Sequence, residues 1–532
     1  MTTWWTDPTV SGVGTGARTD PYRSTASIVP GAGDVIALKC GATYREQIPA
    51  ASIAANSLRI VSYGNGALPI VTGGEIIPAG SWTLTAEAGV YLYQLPGNTG
   101  GNVTESGIPM TNVLWVTNLA TTAPLIPVGG FSYDYTNGRV YIRPTLTIGA
   151  AEYEVAARKY CILSTSAYAG LEIEGINFIR ASYNAIQLQN RTSVDFHDNE
   201  MFSVGGNNAG SAYIGNGIEL SAGAHGARVY RNTFRDIFDS PITWQLYDSS
   251  VSITDGEAHH NLIERCGFYG IEITHTGSAL TGSTISDIEV YENDIRYAGY
   301  YLGRPTTVTG RGIHVGNPYA ACETSRILIR DNRLTQCRWG LSTNLRDCVS
   351  TGVVFRGNVA ATSQSPSNGR GIFANGNTLF EANVIDGYNY SVGVYGSSAG
   401  TFTPTLHNNA FLNAVESIVS DVGAPGTTTL TGRNNVWFQS GQMFRQFGSG
   451  VLFDLDYEAV KAGTSLTGIT IGSNSTRPTD VMLGADYRPR VGSPVLSAGT
   501  KLSGYRRDAD GKQRPNPPSQ GAYDTARLRA RL

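Results

Sequence analysis

The chain has 532 residues, with 39 basic against 42 acidic side chains, a formal net charge of −3 and only 15% charged residues. That balance excludes the basic stripe of a nucleic-acid binder and the charge density of a long solvated helix or coiled coil. No run of about 18 apolar residues exists to span a membrane as a helix. The 64 glycines are well above the usual proportion of about 7%, while 41% hydrophobic residues still supply a core.

In chain order, the opening Met1-Thr2-Thr3-Trp4-Trp5-Thr6-Asp7-Pro8 lacks the charged and apolar regions of a secretory signal. The expected location is the cytosol, or release by lysis or export without a cleavable signal. Gly12-Val13-Gly14-Thr15-Gly16 is glycine-rich, but it follows no strand and has no acidic partner downstream, so it is no dinucleotide fingerprint. Residues 1–80 read as a cap and first coils, ending in Gly33-Asp34-Val35-Ile36-Ala37-Leu38 and its sequel. Residues 81–155 read as a small antiparallel β-insertion, because Asn137-Gly138 separates two alternating runs in Gly130–Ile142, a strong hairpin signal.

Within 156–438, from about Gly170 to Phe438, a short pattern recurs: apolar, any, apolar, two polar residues, then asparagine. The asparagines are Asn199, Asn232, Asn261, Asn293, Asn332, Asn358, Asn383, Asn409 and Asn435, spaced 33, 29, 32, 39, 26, 25, 26 and 26 residues apart. The short spacings fit one coil of three strands; the long ones fit the same coil with loops inserted. Each coil also carries a later strand marked by a small residue and an aliphatic, as in Asn216-Gly217-Ile218-Glu219 and Arg311-Gly312-Ile313-His314. Stacked coils bury one continuous aliphatic column that a single coil could not. The expected fold is all-β, a parallel β-helix, with asparagines bonded from coil to coil at one corner. After 438 the pattern fades, and 439–532 reads as a β-rich cap or assembly region. There Asp508-Ala509-Asp510-Gly511 starts like a calcium loop, but Lys512 and Ser519 stand where ligands are required, so a turn is the better reading. The six cysteines form no CxxC pair or zinc-ligand spacing and read as buried thiols. No metal or cofactor is expected.

This repeat, with its opening and with the closing Gly492-Ser493-Pro494 and Gly521-Ala522-Tyr523-Asp524, resembles the right-handed parallel β-helices of pectate-lyase-like carbohydrate-active proteins. It is most similar to bacteriophage tailspikes and capsule depolymerases. The resemblance implies a virion protein that binds and cleaves a bacterial surface polysaccharide, works as a homotrimer and meets other phage tail proteins.

Chemistry is expected on the outward face of the third strand, where loops at Ser203–Asn216 and Tyr297–Arg311 wall a groove. The outward position reads Gln187, Glu219, Thr243, Glu272, His314, Ser342 along the coils. Glu219 and Glu272 stand two rungs apart, roughly 9.6 Å. That resembles the wide carboxylate gap of inverting glycosidases, where one acid protonates the leaving oxygen and the other activates water. The bland alternative is that both are solvated strand-face residues. Asp236, Asp239 and Asp248 form a rival carboxylate set, although Asp239 also suits an Asx-turn. His314 could hold Glu272 in its protonation state or bind substrate. Arg311, Arg304, His275, Gln245, Tyr247, Tyr300 and Tyr301 are candidate substrate contacts, aromatic faces being suited to sugar rings. Trp244 and Trp339 suit the core equally well, and His259 and His260 read as structural. A lyase alternative needs a base for the proton α to a uronate carboxyl and a cation for the enolate, from among Arg304, Arg311 and His314. A spike that binds polysaccharide without cutting it is the third reading.

Overall fold

The computed structural model describes residues 1–97, 99–113, 126–209, 212–276, 280–300, 310–317, 319, 321–345, 348–363, 366–394, 401–420, 427–438, 442–446, 451–467, 469–502, 508–510 and 512–524. The chain divides into two compact units. One comprises Met1–Gln245, Ser252–Glu272 and Ala298–Thr309, the other Leu246–Val251, Ile273–Tyr297 and Gly310–Leu532.

Both units are parallel β-helix. In the first unit, a first sheet stacks Leu58–Tyr63, Ala169–Glu174, Thr192–His197 and Arg228–Tyr230 in parallel register. A second stacks Ile70–Thr72, Asn177–Ile179, Glu200–Val204, Thr233–Ile237 and Leu262–Cys266. A third stacks Ile162–Ser164, Ile186–Gln189, Ile218–Ser221 and Ile242–Leu246. The N-terminal Thr3–Thr6 already pairs in parallel with Val35–Lys39, so the opening segment is the first rung of the first sheet. The second unit repeats the three strands, and its coils run beyond 438: Phe444–Gln446, Val451–Asp456 and Ala459–Val460 each pair in parallel with the preceding rung. The tail that follows is held by isolated bridges. It packs Val481, Val495 and Tyr523 over Val384, Ala410, Val436 and Ala459 on the second sheet.

Alternation decides which side chains face in. Leu171 and Ile173, Phe178, and Ile186 and Leu188 are buried in successive sheets of one coil. The small residue before each third-strand aliphatic has a steric cause. A Cβ on Gly217 would stand 2.4 Å from the Pro241 carbonyl oxygen, and one on Gly340 would stand 2.4 Å from that of Gly371.

The corner between the first and second sheets is built by the expected asparagines. The residue before each takes a left-handed backbone, as at Asp198, Arg231, Asp331, Ala382 and Asn408. The asparagine then bonds to the next coil. Asn199 donates its backbone and side-chain N–H to Asn232 Oδ1 at 3.0 and 3.2 Å, and Asn232 does the same to Asn261 Oδ1. In the second unit the chain runs from Asn293 through Asn332, Asn358, Asn383 and Asn409 to Asn435. It ends on a carboxylate, Glu458, which accepts from Asn435 Nδ2 at 3.1 Å and Trp437 Nε1 at 2.6 Å. All six cysteines are free thiols.

The antiparallel insertion starts at Gly74–Ile77, which pairs with Tyr153–Ala156. It contains the hairpin Gly130–Asp134 with Arg139–Arg143. It leaves the coil between a second and a third strand, the same corner that carries the loop at 203–216 two coils later.

Candidate active site

The third sheet of the first unit places Gln187 beside Glu219 and Glu219 beside Thr243, the expected outward column. The side chains differ from a solvated face in one respect: Glu219 is 2% and Glu272 8% exposed. Those low exposures exclude the solvated reading.

Glu219 is held by a set of amides. Asn184 Nδ2 and Gln187 Nε2 donate to it at 2.8 Å, and Asn216 Nδ2 at 3.1 Å. Asn184 and Asn216 belong to a second, short corner ladder. The Asn216 backbone N–H donates to Asn184 Oδ1 at 2.9 Å, and the Ser240 N–H donates to Asn216 Oδ1 at 3.2 Å. Ser240 continues the pattern with its hydroxyl, which donates to Glu272 at 3.1 Å, while Thr243 Oγ1 reaches the same oxygen at 3.5 Å. Amide N–H groups can only donate, so Glu219 meets them as an acceptor. Hydroxyls donate or accept, so Ser240 and Thr243 can meet Glu272 in either protonation state. The sequence carried a signal for this ladder, a polar residue two places before each third-strand aliphatic (Asn184, Asn216, Ser240), but it was missed.

Among the other predicted site residues, Gln245 follows Thr243 on the outward parity and is buried, and Asp239 lies half-buried in the turn leading to Ser240. The backbone of Asp239 is fixed, its N–H donating to Gly215 O at 3.1 Å. Tyr300, also in this unit, donates its backbone N–H to Cys266 O. Tyr301 and Arg304 lie outside the described residues.

The second unit holds Asp248, Tyr247, His275, Arg311 and His314. Asp248 and Tyr247 occupy an exposed turn, with Tyr247 43% accessible. His275 needs correction as a sugar contact. It shares parity with Ile271 and Ile273 in Tyr269–His275 and is 1% exposed, so its ring lies on the core side. Burial lowers its pKa to about 4. Trp244 likewise fills the core.

His314 pairs with Ser342 in register. Its Nδ1 accepts from Arg311 at 2.8 Å and lies 2.8 Å from Ser342 Oγ. Burial first, then the Arg311 charge, lowers its pKa well below the ordinary histidine value, so the ring is neutral. Trp339 is not a plain core residue. Arg311 and Arg370 lie over its ring at 5.2 and 4.5 Å, and Phe373 is 5.2 Å away. Burial lowers the Arg370 pKa to about 10. Arg370 had no role in the sequence reading, because only the fold brings it to Trp339.

Among the described residues one group could hold a cation by spacing, Glu172, Glu174 and His197. The Arg59 guanidinium already bonds Glu172 twice at 2.8 Å and lies 3.6 Å from Glu174. The group is therefore an ion-pair network.

No protein-family model matches the sequence, and no curated protein matches it as a relative. Among solved structures, the complex of XylC with xylose is similar over 98% of this chain and 98% of that one, at 12% identity and a TM-score of 0.53. A glycoside hydrolase (10% identity, 85% of this chain and 96% of that one, TM-score 0.40) is also similar, as is the GH136 lacto-N-biosidase from Eubacterium ramulus (11%, 85% and 68%, TM-score 0.39). The first likeness speaks for the fold; the other two, at these scores, add nothing to it. The fold is a parallel β-helix.

Proposed function

We propose that the chain is a polysaccharide depolymerase of the tailspike type, acting on a bacterial surface polysaccharide by glycoside hydrolysis. One observation carries the reading: two buried carboxylates, Glu219 and Glu272, share a sheet face with Thr243 between them, Glu219 accepting from three side-chain amides and Glu272 from the Ser240 and Thr243 hydroxyls. Two rungs separate their stems by roughly 9.6 Å, at the wide end of the inverting range. Glu219, fixed as an acceptor, is the base that activates water. Glu272, whose hydroxyl partners tolerate a proton, is the acid for the leaving oxygen. The fold-level likeness to a protein solved with xylose agrees with a saccharide ligand, as analogy only.

The lyase reading is favoured by the pairing of a neutral histidine with arginine in the second unit. An elimination would use His314 as base and Arg311 or Arg370 to stabilise the enolate. However, the Nδ1 lone pair already accepts from Arg311, so hydrolysis is the stronger reading. A non-cleaving spike would use the same face for binding alone.

The test is incubation with capsular and O-antigen polysaccharides, reading new reducing ends and ultraviolet absorbance together. Hydrolysis gives reducing ends without absorbance, elimination gives both, and binding alone gives neither. The homotrimer belongs to the same proposal; light scattering should then return three times the 56.7 kDa chain mass.

A further inference from the structure

Beside Glu219 lies a group of side chains that neither the sequence reading nor the proposed hydrolysis uses. They come from one corner of successive coils. Tyr135 stands at the tip of the insertion hairpin, directly after Gly130–Asp134. Lys159 and Tyr160 lie on the return from Tyr153–Ala156 to Ile162–Ser164. Tyr183 lies in the corresponding corner of the next coil, immediately before Asn184, which donates to Glu219.

Topology holds these pieces together. The insertion is docked on the inserted loop two coils along: Asn102 N–H donates to Gly205 O at 2.9 Å, Asn112 Nδ2 to Gly206 O at 3.2 Å, and Asn207 Nδ2 to Gly100 O at 2.6 Å. The Tyr183 N–H donates to Lys159 O at 3.1 Å, fixing the two backbones. The Tyr183 hydroxyl is hydrogen-bonded to Tyr135. Tyr160 and Tyr183 have ring centroids 6.3 Å apart, tilted by 56°. Lys159 Nζ lies 4.8 Å from the Tyr183 ring centre. Tyr183 directly precedes Asn184, whose Nδ2 donates to Glu219 at 2.8 Å, which ties this corner to that carboxylate. All four side chains are half-buried, so their faces are partly open.

We propose that Tyr135, Tyr160 and Tyr183 form a sugar-binding subsite, and that Lys159 selects a sugar bearing a carboxylate. The inference rests on the hydrolytic reading for its place beside Glu219, and it adds the substrate class, an acidic polysaccharide. Aromatic faces take the apolar face of a pyranose. Among the described residues no carboxylate is within ion-pair distance of Lys159, whereas Lys39 and Lys512 each have an aspartate. A carboxylate on the bound ring would complete that charge. These are positioning residues: they hold the ring whose neighbour meets Glu219 and Glu272.

Ligand-observed saturation-transfer NMR on the full chain tests this, with glucuronate and glucose as probes. Wild type should bind glucuronate more tightly than glucose. Tyr183→Ala should weaken both by about tenfold, the scale of one lost aromatic face. Lys159→Gln should bring glucuronate down to the glucose level and leave glucose unchanged. If Tyr183→Ala fails to fold, the Lys159→Gln comparison still decides. Equal binding of the two probes by wild type, or unchanged glucuronate preference in Lys159→Gln, overturns the proposal. Binding needs no turnover, so equal binding of the two probes by wild type with reducing ends still released sinks the subsite alone. A wild-type preference for glucuronate without release sinks the hydrolytic reading alone. On a polysaccharide that is cleaved, Lys159→Gln should raise KM and leave kcat near wild type.

Discussion

At the residue scale, the two carboxylates differ in how they should respond to removal of charge. Glu219→Gln replaces one acceptor oxygen by an –NH2 group that faces either Gln187 Nε2 or the Asn184 and Asn216 Nδ2 pair, and an unmet buried donor costs about 1–3 kcal/mol. Glu272→Gln faces hydroxyls that can rotate to accept, so its loss should stay below about 1 kcal/mol. Both variants should lose orders of magnitude in turnover. Urea titration beside an activity assay separates the two effects. A Glu219→Gln variant as stable as Glu272→Gln would contradict the amide cage. The outward column was legible because strand alternation has period two and the register is set by the aliphatics. Burial of that column was not, because it depends on what rises from the neighbouring corner.

A second residue-scale expectation concerns Glu458. Burial raises its pKa from the ordinary 4.5 to about 8 despite donors from Trp437 and Asn435. The protonated acid is therefore favoured in the folded state. Its contribution is complete below the unfolded value and is lost as pH rises through about 8. Thermal stability should fall between about pH 4.5 and about 8, the window between the unfolded and folded values, and Glu458→Gln should flatten the fall. A wild-type curve as flat as that of the variant would show that Glu458 is ionised without cost. The histidines act in the opposite direction. His275 and His407 are each lowered to about 4 by burial. Stability present above the unfolded value near 6.5 is lost as pH drops toward 4.

At the element scale, the asparagine ladder supplies the corner that repeats along each unit. Asn358 shows what one rung does: it accepts from the Asn332 backbone and side chain, and it donates to Ile329 O and to Asn383 Oδ1. Asn358→Ala leaves several of these buried groups unmet. At about 1–3 kcal/mol for each, the variant should lose at least ~3 kcal/mol in a denaturant titration. A loss under 1 kcal/mol, the scale of an ordinary surface change, would mean that the ladder is incidental. The recurring asparagine made this element readable in advance. The ladder's last member was hidden because it is a glutamate, and the coil beyond 438 was hidden because Phe444–Gln446 and Val451–Asp456 lack the asparagine corner. His275 was misread for a related reason: one residue along a strand exchanges the groove face for the core.

At the scale of the whole molecule, low charge excluded long solvated helices and the asparagine repeat pointed to stacked coils, and both units are built that way. The insertion hairpin was legible from Asn137-Gly138, but its role was not. Nothing local links Tyr135 to Tyr183; only the return of the chain to the same corner one coil later does so. The same limit applied to Arg370 beside Trp339. The central claim is that the Glu219 and Glu272 face hydrolyses polysaccharide. Its most direct test is release of reducing ends from a panel of bacterial capsular and O-antigen polysaccharides by wild type, Glu219→Gln and Glu272→Gln, with ultraviolet absorbance followed in the same samples. Wild type should release reducing ends without unsaturated product, and each variant should be slower by orders of magnitude. Near-native rates in both variants, or unsaturated uronate in the wild-type products, would contradict it.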